Sequence, residues 1–395
     1  MEERKLEELA VSLGTPSYVF DLDLLEERIA WVARNIRPAK LCFAVKANPF
    51  LVGFMDRQVE RYEVCSPGEL HICVESGTDM AKVVLSGVSR EYEDVRYAME
   101  QGVVRYTAES RRQFLLVDRC ARELGKRAEV LLRVTSKNQF GMSEDDVLAL
   151  IRERDAYPNL DIAGLQYFTG TQKKSVSKIA GELQYIEDFA GRLRAQEQFR
   201  IRVLEFGPGL GVPYFTKDDA GEDRKLLEAF TALFEEERPY ELVFEMGRFL
   251  TACCGYYLTK VTDLKQNEAV NVCIVDGGIH HVNYYGQNMA MKTPVLSYFP
   301  QHPLEKEERC WTVYGSLCTV ADVLLKKLPL RDVRVGDYLA FHNIGAYSVT
   351  EGIYLFLSRR MPKIYTYSGR EGARLIRDGV ETWKLNTRNR PNSPS

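Results

Sequence analysis

The feature that most constrains the fold is a regular alternation of short apolar runs with helical patterns over the first 250 residues. Each run has the length of a buried strand, and helical patterns fit between several of them, as from Val176 to Arg194. Eight strands that alternate with helices favour a closed parallel barrel over an open sheet. We therefore predict an α/β fold with a (β/α)8 TIM barrel, whose strands lie at about 41–46, 61–65, 82–86, 103–107, 129–134, 162–167, 203–206 and 241–245.

Beyond residue 250 the pattern changes to short β segments joined by Gly, Asp and Asn turns, with little helical period. We predict that the barrel spans 25–250 and that 1–24 and 251–385 form a β-rich barrel domain. The polar tail 386–395 is predicted to be disordered. The predicted β segments are Tyr256–Thr262, Ala269–Val275, Cys310–Tyr314, Tyr338–Phe341, Tyr354–Ser358 and Lys363–Tyr367.

Composition narrows the class of partner and the compartment. A chain of 395 residues with 45% hydrophobic residues has enough apolar material for two domain cores. The formal net charge of −3, with scattered basic residues, gives no sign of nucleic-acid or membrane binding. No segment resembles a signal peptide or a membrane span. Nine cysteines without C-x-x-C spacing favour a reducing compartment, and we predict a cytoplasmic protein.

Lys46 is the first candidate functional residue because it ends an apolar run that is predicted to be a buried strand. Burial of a lysine costs free energy and lowers its pKa toward the reactive neutral amine, which is the form that attacks a carbonyl group. A lysine that caps a strand and extends to water explains the same pattern equally well. The residue alone does not decide between these two roles.

Other unusual residues follow later strands, and in a TIM barrel the carboxyl ends of the strands form the active-site face. The turn from Gly207 to Gly211 offers backbone N–H groups to an anion, although many such turns are plain loops. Arg248 close by favours phosphate as that anion. Glu245 ends the eighth strand, where an ion pair with Arg248 is its alternative role. An amine, a phosphate site and a carboxylate on one face together indicate pyridoxal 5′-phosphate.

The chain also resembles the fold type III decarboxylases related to diaminopimelate and ornithine decarboxylases, from about Pro16 to Tyr354. The resemblance implies an alanine racemase-like barrel and an amino-acid decarboxylase. It is carried by Phe43-Ala44-Val45-Lys46-Ala47-Asn48, Ser66-Pro67-Gly68-Glu69-Leu70, Gln139-Phe140-Gly141, Gly207-Pro208-Gly209-Leu210-Gly211, Glu245-Met246-Gly247-Arg248, Asp276-Gly277-Gly278, Cys318 through Asp322, and Gly345-Ala346-Tyr347.

By this resemblance Lys46 would hold the cofactor covalently, and Glu245 would keep its pyridine nitrogen protonated, which favours decarboxylation over racemisation. Phe168 stands where a histidine normally stacks on the ring, and it can still stack. Family members are head-to-tail homodimers with shared active sites, so Cys318 would act as an acid in the partner's site and Asp322 would contact the substrate. The remaining cofactor-binding residues would be Gly207, Gly209, Gly247, Arg248 and Tyr347.

Departures from the family pattern bear on the substrate. Diaminopimelate enzymes have a glutamate after the cysteine that reads the distal amino-acid centre, and Thr319 stands there instead. Pro208 removes one N–H from the phosphate turn, and Glu63 replaces a commoner aspartate. Three patterns resemble those of decarboxylases from secondary-metabolite clusters: Cys318-Thr319, Phe168 before Gly170-Thr171-Gln172, and Gly278-Ile279-His280-His281. We favour turn residues over a metal site for the pair His280 and His281 and predict no metal.

Three functions follow from these observations. The leading hypothesis is a pyridoxal phosphate-dependent L-amino-acid decarboxylase of specialised metabolism, such as antibiotic biosynthesis, with the glutamyl thioester of an acyl carrier protein as one candidate substrate. The second is a diaminopimelate, ornithine or lysine decarboxylase with an atypical pocket. The third is a non-catalytic binding protein, against which Lys46, Glu245 and Cys318 together argue.

Overall fold

The computed structural model describes residues 1–234, 237–266, 270–285 and 290–388, and these residues form two compact units. One unit comprises 28–212 and 221–250, and the other comprises 1–27, 213–220 and the chain from 251 onward. The segment 213–220 groups with the second unit although it lies inside the sequence range 25–250. Most of the tail 386–395 lies outside the described residues, while Asn386 donates its side-chain amide to the Leu355 carbonyl at 2.8 Å.

The secondary structure follows the chain order with helices numbered separately from strands. The helices are α1 (Glu3–Leu13), α2 (Leu22–Asn35), α3 (Pro67–Glu75), α4 (Tyr92–Glu100), α5 (Arg111–Leu124), α6 (Glu144–Arg152), α7 (Val176–Glu197), α8 (Glu222–Thr231) and α9 (Arg248–Thr251). The strands are β1 (Ser17–Asp21), β2 (Lys40–Ala44), β3 (Arg61–Val64), β4 (Val83–Leu85), β5 (Arg105–Ala108), β6 (Ala128–Arg133), β7 (Leu160–Phe168), β8 (Val203–Gly207), β9 (Glu241–Met246), β10 (Gly255–Gln266), β11 (Asn271–Val275), β12 (Leu296–Phe299), β13 (Glu308–Tyr314), β14 (Val323–Arg331), β15 (Tyr338–Phe341), β16 (Lys363–Ser368) and β17 (Gly372–Arg377).

Strands β2 to β9 form a closed barrel in which every neighbouring pair is parallel, so the predicted TIM barrel is confirmed. All eight strands lie within a few residues of their predicted positions because each is a short apolar run buried on both faces. The helices between them carry ordinary end signals. In α5, Ser110 accepts a hydrogen bond from the Gln113 N–H, and Gly125 closes the helix at a φ of 62°. The predicted helix from Val176 is α7.

The second unit is β-rich, as predicted, and its nine strands form one branched sheet. Its central path runs β14-β13-β11-β10-β1-β16-β17, and β15 pairs with both β10 and β12. Pairing is antiparallel except between β1 and β16 and between β11 and β13. The sheet buries one face on α1, where Leu6, Leu9 and Ala10 pack against Val19 and Leu258.

The predicted strand Tyr354–Ser358 is wrong. The segment forms a turn that ends in a 3-10 helix over Phe356–Ser358, and Leu357 has a φ of 57°, which no extended strand contains. The apolar sequence resembles that of a buried strand, but its apolar side chains are exposed. Strands β1, β12, β14 and β17 were not predicted. Among the described helices, none is both long enough and apolar enough to cross a membrane.

Gly164 on β7 provides a test of the barrel's close strand packing. A Cβ atom at this position would lie 1.8 Å from the Val203 carbonyl oxygen on β8, so Gly164→Ala forces two strands apart. We expect the free energy of unfolding to fall by about 3 kcal/mol, measured by urea denaturation. Gly181→Ala on the exposed face of α7 meets no atom within 4 Å and should raise it by about 0.5–1 kcal/mol. Equal stability of the two variants would contradict this account of the packing.

Candidate active site

Lys46 lies just beyond β2, not within the strand as the sequence indicated. The strand ends at Ala44, and Val45–Ala47 form a single 3-10 turn with Lys46 at its centre. The turn is followed by Asn48, whose side chain accepts a hydrogen bond from the Phe50 N–H and starts the next 3-10 turn. This geometry lifts the lysine off the strand at the carboxyl end of the barrel, which is the face where TIM barrels place their chemistry.

The Lys46 amine lies between two buried carboxylates. Its Nζ is 2.8 Å from Glu63 Oε2 and 3.4 Å from Glu245 Oε1. These contacts follow from strand order, because β3 and β9 are the two neighbours of β2 in the barrel. Cys65 Sγ also lies near the amine, at 3.6 Å. The Lys46 amine is therefore paired with two carboxylates although its side chain is 37% exposed, and this pairing favours a functional role over a simple strand cap.

The pKa values of the two carboxylates shift in opposite directions. Burial alone would raise the pKa of Glu63, but the adjacent Lys46 ammonium outweighs it and lowers that pKa overall. Burial raises the pKa of Glu245, and the negative charge of Glu63 raises it further. Glu245 also accepts a hydrogen bond from Gln166 Nε2 at 3.0 Å. One carboxylate therefore balances the lysine, while the other is poised to gain or hold a proton.

The glycines of the predicted phosphate turn are required by close packing between loops. Gly209 has a φ of 61°, and a Cβ atom there would lie 1.9 Å from the Gly170 carbonyl oxygen. A Cβ atom at Gly207 would lie 2.5 Å from a ring carbon of Phe168, which ends the neighbouring strand. Gly247 leaves room for the Ala47 side chain beside Lys46. Backbone rather than side chain therefore lines this part of the barrel mouth, as an anion site requires.

Cys318, Asp322 and Tyr347 belong to the other unit. Cys318 is exposed on a turn, and Tyr347 has a φ of 68°. Asp322 is only 1% exposed, and its two carboxylate oxygens accept hydrogen bonds from the Ile279 N–H at 2.8 Å and the Leu317 N–H at 2.7 Å. Burial raises the pKa of Asp322. Its observed role is to join two turns, and a substrate contact at this residue stays a prediction.

The two histidines lie in the same unit and are buried. The rings of His280 and His281 have centroids 3.7 Å apart and are tilted by 40° to each other, and the Tyr257 hydroxyl and His281 Nδ1 are 2.8 Å apart. Burial lowers the pKa of His280 to about 4, so it is neutral. Among the described residues, no group of three or more His, Cys, Asp or Glu side chains is arranged to hold a metal ion.

Sequence reasoning missed three residues of the lysine's surroundings. Gln166 and Cys65 were assigned no role, and Glu63 was noted only as a departure from a family pattern. The signal for Glu63 was available, because polar residues within a run buried on both faces need partners. The identity of that partner depended on strand register, in which Glu63 lies opposite Ala44, next to the lysine turn.

Residues 22–252 match the family model of the pyridoxal-dependent decarboxylases, pyridoxal-binding domain. The match covers more than half of the chain, and the chain belongs to this family. It is an amino-acid decarboxylase that uses pyridoxal 5′-phosphate. The amine of Lys46, the paired carboxylates and the glycine-lined turn fit that cofactor in chemical type.

Several curated relatives align along nearly the whole chain. The diaminopimelate decarboxylase of Aquifex aeolicus is 25% identical over 95% of this chain and 92% of its own length, and that of Vibrio cholerae is 28% identical over 88% and 87%. The L-glutamyl-(BtrI acyl-carrier protein) decarboxylase of Niallia circulans is 25% identical over 92% and 91%. A solved diaminopimelate decarboxylase from Methanocaldococcus jannaschii has the same fold, with a TM-score of 0.85 at 24% identity over 98% of this chain and 94% of its own.

The cofactor supplies an electron sink for the pair left when a bond to the α-carbon of an amino acid breaks. Around it, Lys46 would provide the amine that binds the aldehyde, and Glu245 would hold a proton at the pyridine nitrogen. Arg248 and the backbone of the turn at Gly207 would bind phosphate, and Phe168 would cover the ring. Glu63 would hold the lysine amine in position.

Gly209→Ala tests the phosphate turn. The added methyl group must displace the Gly170 carbonyl, and the left-handed φ is strained for alanine, so we expect the dissociation constant of pyridoxal phosphate to rise at least about tenfold. Titration of the cofactor-depleted protein, followed by absorbance, measures it. The exposed helical variant Gly191→Ala serves as the matched control and should bind normally. Wild-type affinity in a folded Gly209→Ala protein would refute the role of this turn.

Proposed function

We propose that this enzyme decarboxylates a free amino acid of the diaminopimelate, ornithine and lysine class, with diaminopimelate as the first candidate. The observation that carries the proposal is the placement of Lys46 between Glu63 and Glu245 at the barrel mouth. Its support from relatives is broad, since the diaminopimelate decarboxylases of Aquifex aeolicus and Vibrio cholerae align over most of both lengths. The hypothesis of specialised metabolism, which the sequence departures favoured, is less well supported.

A carrier-tethered glutamyl substrate is the second candidate. It is favoured by Thr319, which lacks the carboxylate that would read a distal amino-acid centre, and by the relative from Niallia circulans. Thr319 is half-buried in the turn that contains Cys318, and its hydroxyl accepts from the Ala321 N–H at a long 3.4 Å. Because the Thr319 side chain makes only this long hydrogen bond to the described residues, we expect that it can be replaced while the turn keeps its conformation.

A homodimer with shared active sites completes the proposal. Cys318 is exposed, and the neighbouring Val320 side chain is 88% exposed, so this turn presents a thiol and an apolar side chain outward. An exposed apolar residue beside a thiol favours burial against another protein surface. We infer that the turn enters the barrel mouth of a second copy, where Cys318 donates a proton to the α-carbon.

The substrate is tested by carbon dioxide release with diaminopimelate, ornithine, lysine and a glutamyl-loaded carrier protein. We expect the highest kcat/KM with diaminopimelate, and Thr319→Glu should raise that value about tenfold because it adds a partner for the distal ammonium. Thr319→Gln is the uncharged control. Turnover of the carrier-bound substrate alone would establish the second candidate instead. No carbon dioxide from any of the four would overturn both.

The shared site is tested by co-expression of Lys46→Ala and Cys318→Ala chains with different affinity tags. Each variant alone should lack activity, and Lys46→Ala should also lack the visible absorbance of a lysine-bound cofactor. The mixed dimer has one intact pair of residues, so random pairing should restore about a quarter of wild-type activity. Activity no greater than the sum of the two separate variants would show that each chain uses its own Cys318, or none.

A further inference from the structure

A second charged cluster lies deeper in the barrel, below the lysine. Glu205 on β8 is fully buried, and its Oε2 is 3.5 Å from Arg61 Nη1 on β3. The same guanidinium donates a shorter hydrogen bond of 2.5 Å from Nη2 to Glu241 Oε1, so Arg61 is shared between two carboxylates. Glu205 has no role in the site described above. Burial of an ionised carboxylate costs free energy, and Arg61 compensates it only in part because the guanidinium is shared with Glu241.

Two buried oxygen atoms beside this cluster lack hydrogen-bond partners within the described residues. They are Oε1 of Glu205 and Oε1 of Gln166. The two residues lie directly opposite each other in the ladder between β7 and β8, where side chains on the same face are close neighbours. Both side chains point into the barrel interior, because Glu205 contacts Arg61 there and Gln166 donates to Glu245.

Two oxygens that only accept cannot satisfy each other, but a single proton between them satisfies both. The charges around Glu205 favour that proton. The facing titratable groups are Arg61 and Glu63 on β3, Glu245 and Glu241 on β9, and the Cys42 thiol on β2. The pKa of Glu205 is raised to about 8: burial contributes most, the charges of Glu245 and Glu63 add to it, and Arg61 opposes them.

We propose that Glu205 is a neutral carboxylic acid that donates a hydrogen bond to Gln166 Oε1 and thereby positions the carboxylate of Glu245. With its carbonyl occupied in this way, the Gln166 amide keeps its N–H directed at Glu245 Oε2. An ionised Glu205 would instead attract that N–H and rotate the amide away from Glu245. Glu205 is thus a positioning residue, and this inference rests on the proposed role of Glu245 toward the cofactor.

The proton itself is tested without reference to catalysis, through the pH dependence of unfolding. Because the folded pKa of Glu205 lies above its unfolded value, the folded protein keeps a proton that the unfolded chain releases between about pH 4.5 and pH 8. As the pH rises through this window, wild type should therefore lose stability relative to Glu205→Gln. The folding equilibrium constant should fall by up to about tenfold per pH unit, and above the window the difference between the two proteins should stay constant.

Glu129→Gln on the outer part of β6 is the matched control and should follow the wild-type curve, since Glu129 is a half-exposed partner of Arg105. Parallel curves for wild type and Glu205→Gln would overturn the proposal, because they show an ionised Glu205. The infrared difference spectrum between these two proteins supplies a second measurement. A protonated carboxyl band present only in wild type is expected, and its absence also overturns the proposal.

The positioning role is tested in the cofactor-loaded enzyme by rescue. Glutamine at 205 keeps a neutral donor, so Glu205→Gln should retain kcat and the visible absorbance of the bound cofactor. Glu205→Leu removes the donor and should lower kcat about tenfold. Equal kcat for the two variants would exclude positioning even if the proton is present. If instead wild type binds no cofactor, the proposed function fails while the unfolding result stands.

Discussion

The interaction on which the barrel mouth depends is the ammonium of Lys46 held between two buried carboxylates. Glu63 and Glu245 are both buried, and the Lys46 ammonium compensates part of the cost of their charge. The closed order of strands supplies this geometry, because the strand that carries the lysine turn has one carboxylate strand on each side. The same three side chains would give the site its chemistry.

Around this centre the loops are joined by backbone rather than by side chains. Gly209 approaches the Gly170 carbonyl too closely for any other residue, and the Lys173 N–H donates to the Gly209 carbonyl at 2.9 Å. Gly211 returns a hydrogen bond to the Lys173 carbonyl at 2.9 Å. The two loops after β7 and β8 therefore form one unit, and Phe168 is fixed against Gly207 at its edge. The backbone of the turn after β8 is therefore fixed against the loop after β7.

The parts of the fold that were predictable are those in which local pattern and burial agree. The eight barrel strands are short and apolar. Because the carboxyl ends of all strands in a TIM barrel lie at one face, Lys46 and Glu245 could be predicted to share that face. Strand β14 was missed because Lys326, Lys327 and Pro329 break its pattern, which an edge strand tolerates and a central strand does not. The strand prediction for Tyr354–Ser358 was wrong for the opposite reason, because this apolar sequence lies in an exposed turn. Contacts such as Lys46 with Cys65, or Gln166 with Glu245, required the register between strands.

Asp322 has a consequence for how this protein can diversify. It joins its own turn to the 279 turn through the N–H groups of Ile279 and Leu317, and these groups are present whatever side chains the two residues carry. A brace of this type leaves the identities of the neighbouring side chains free. Residues on the turn, Thr319 among them, can therefore be exchanged by selection while the loop keeps its shape. The braced turn is therefore a part of the molecule where side chains can be exchanged at little cost to stability.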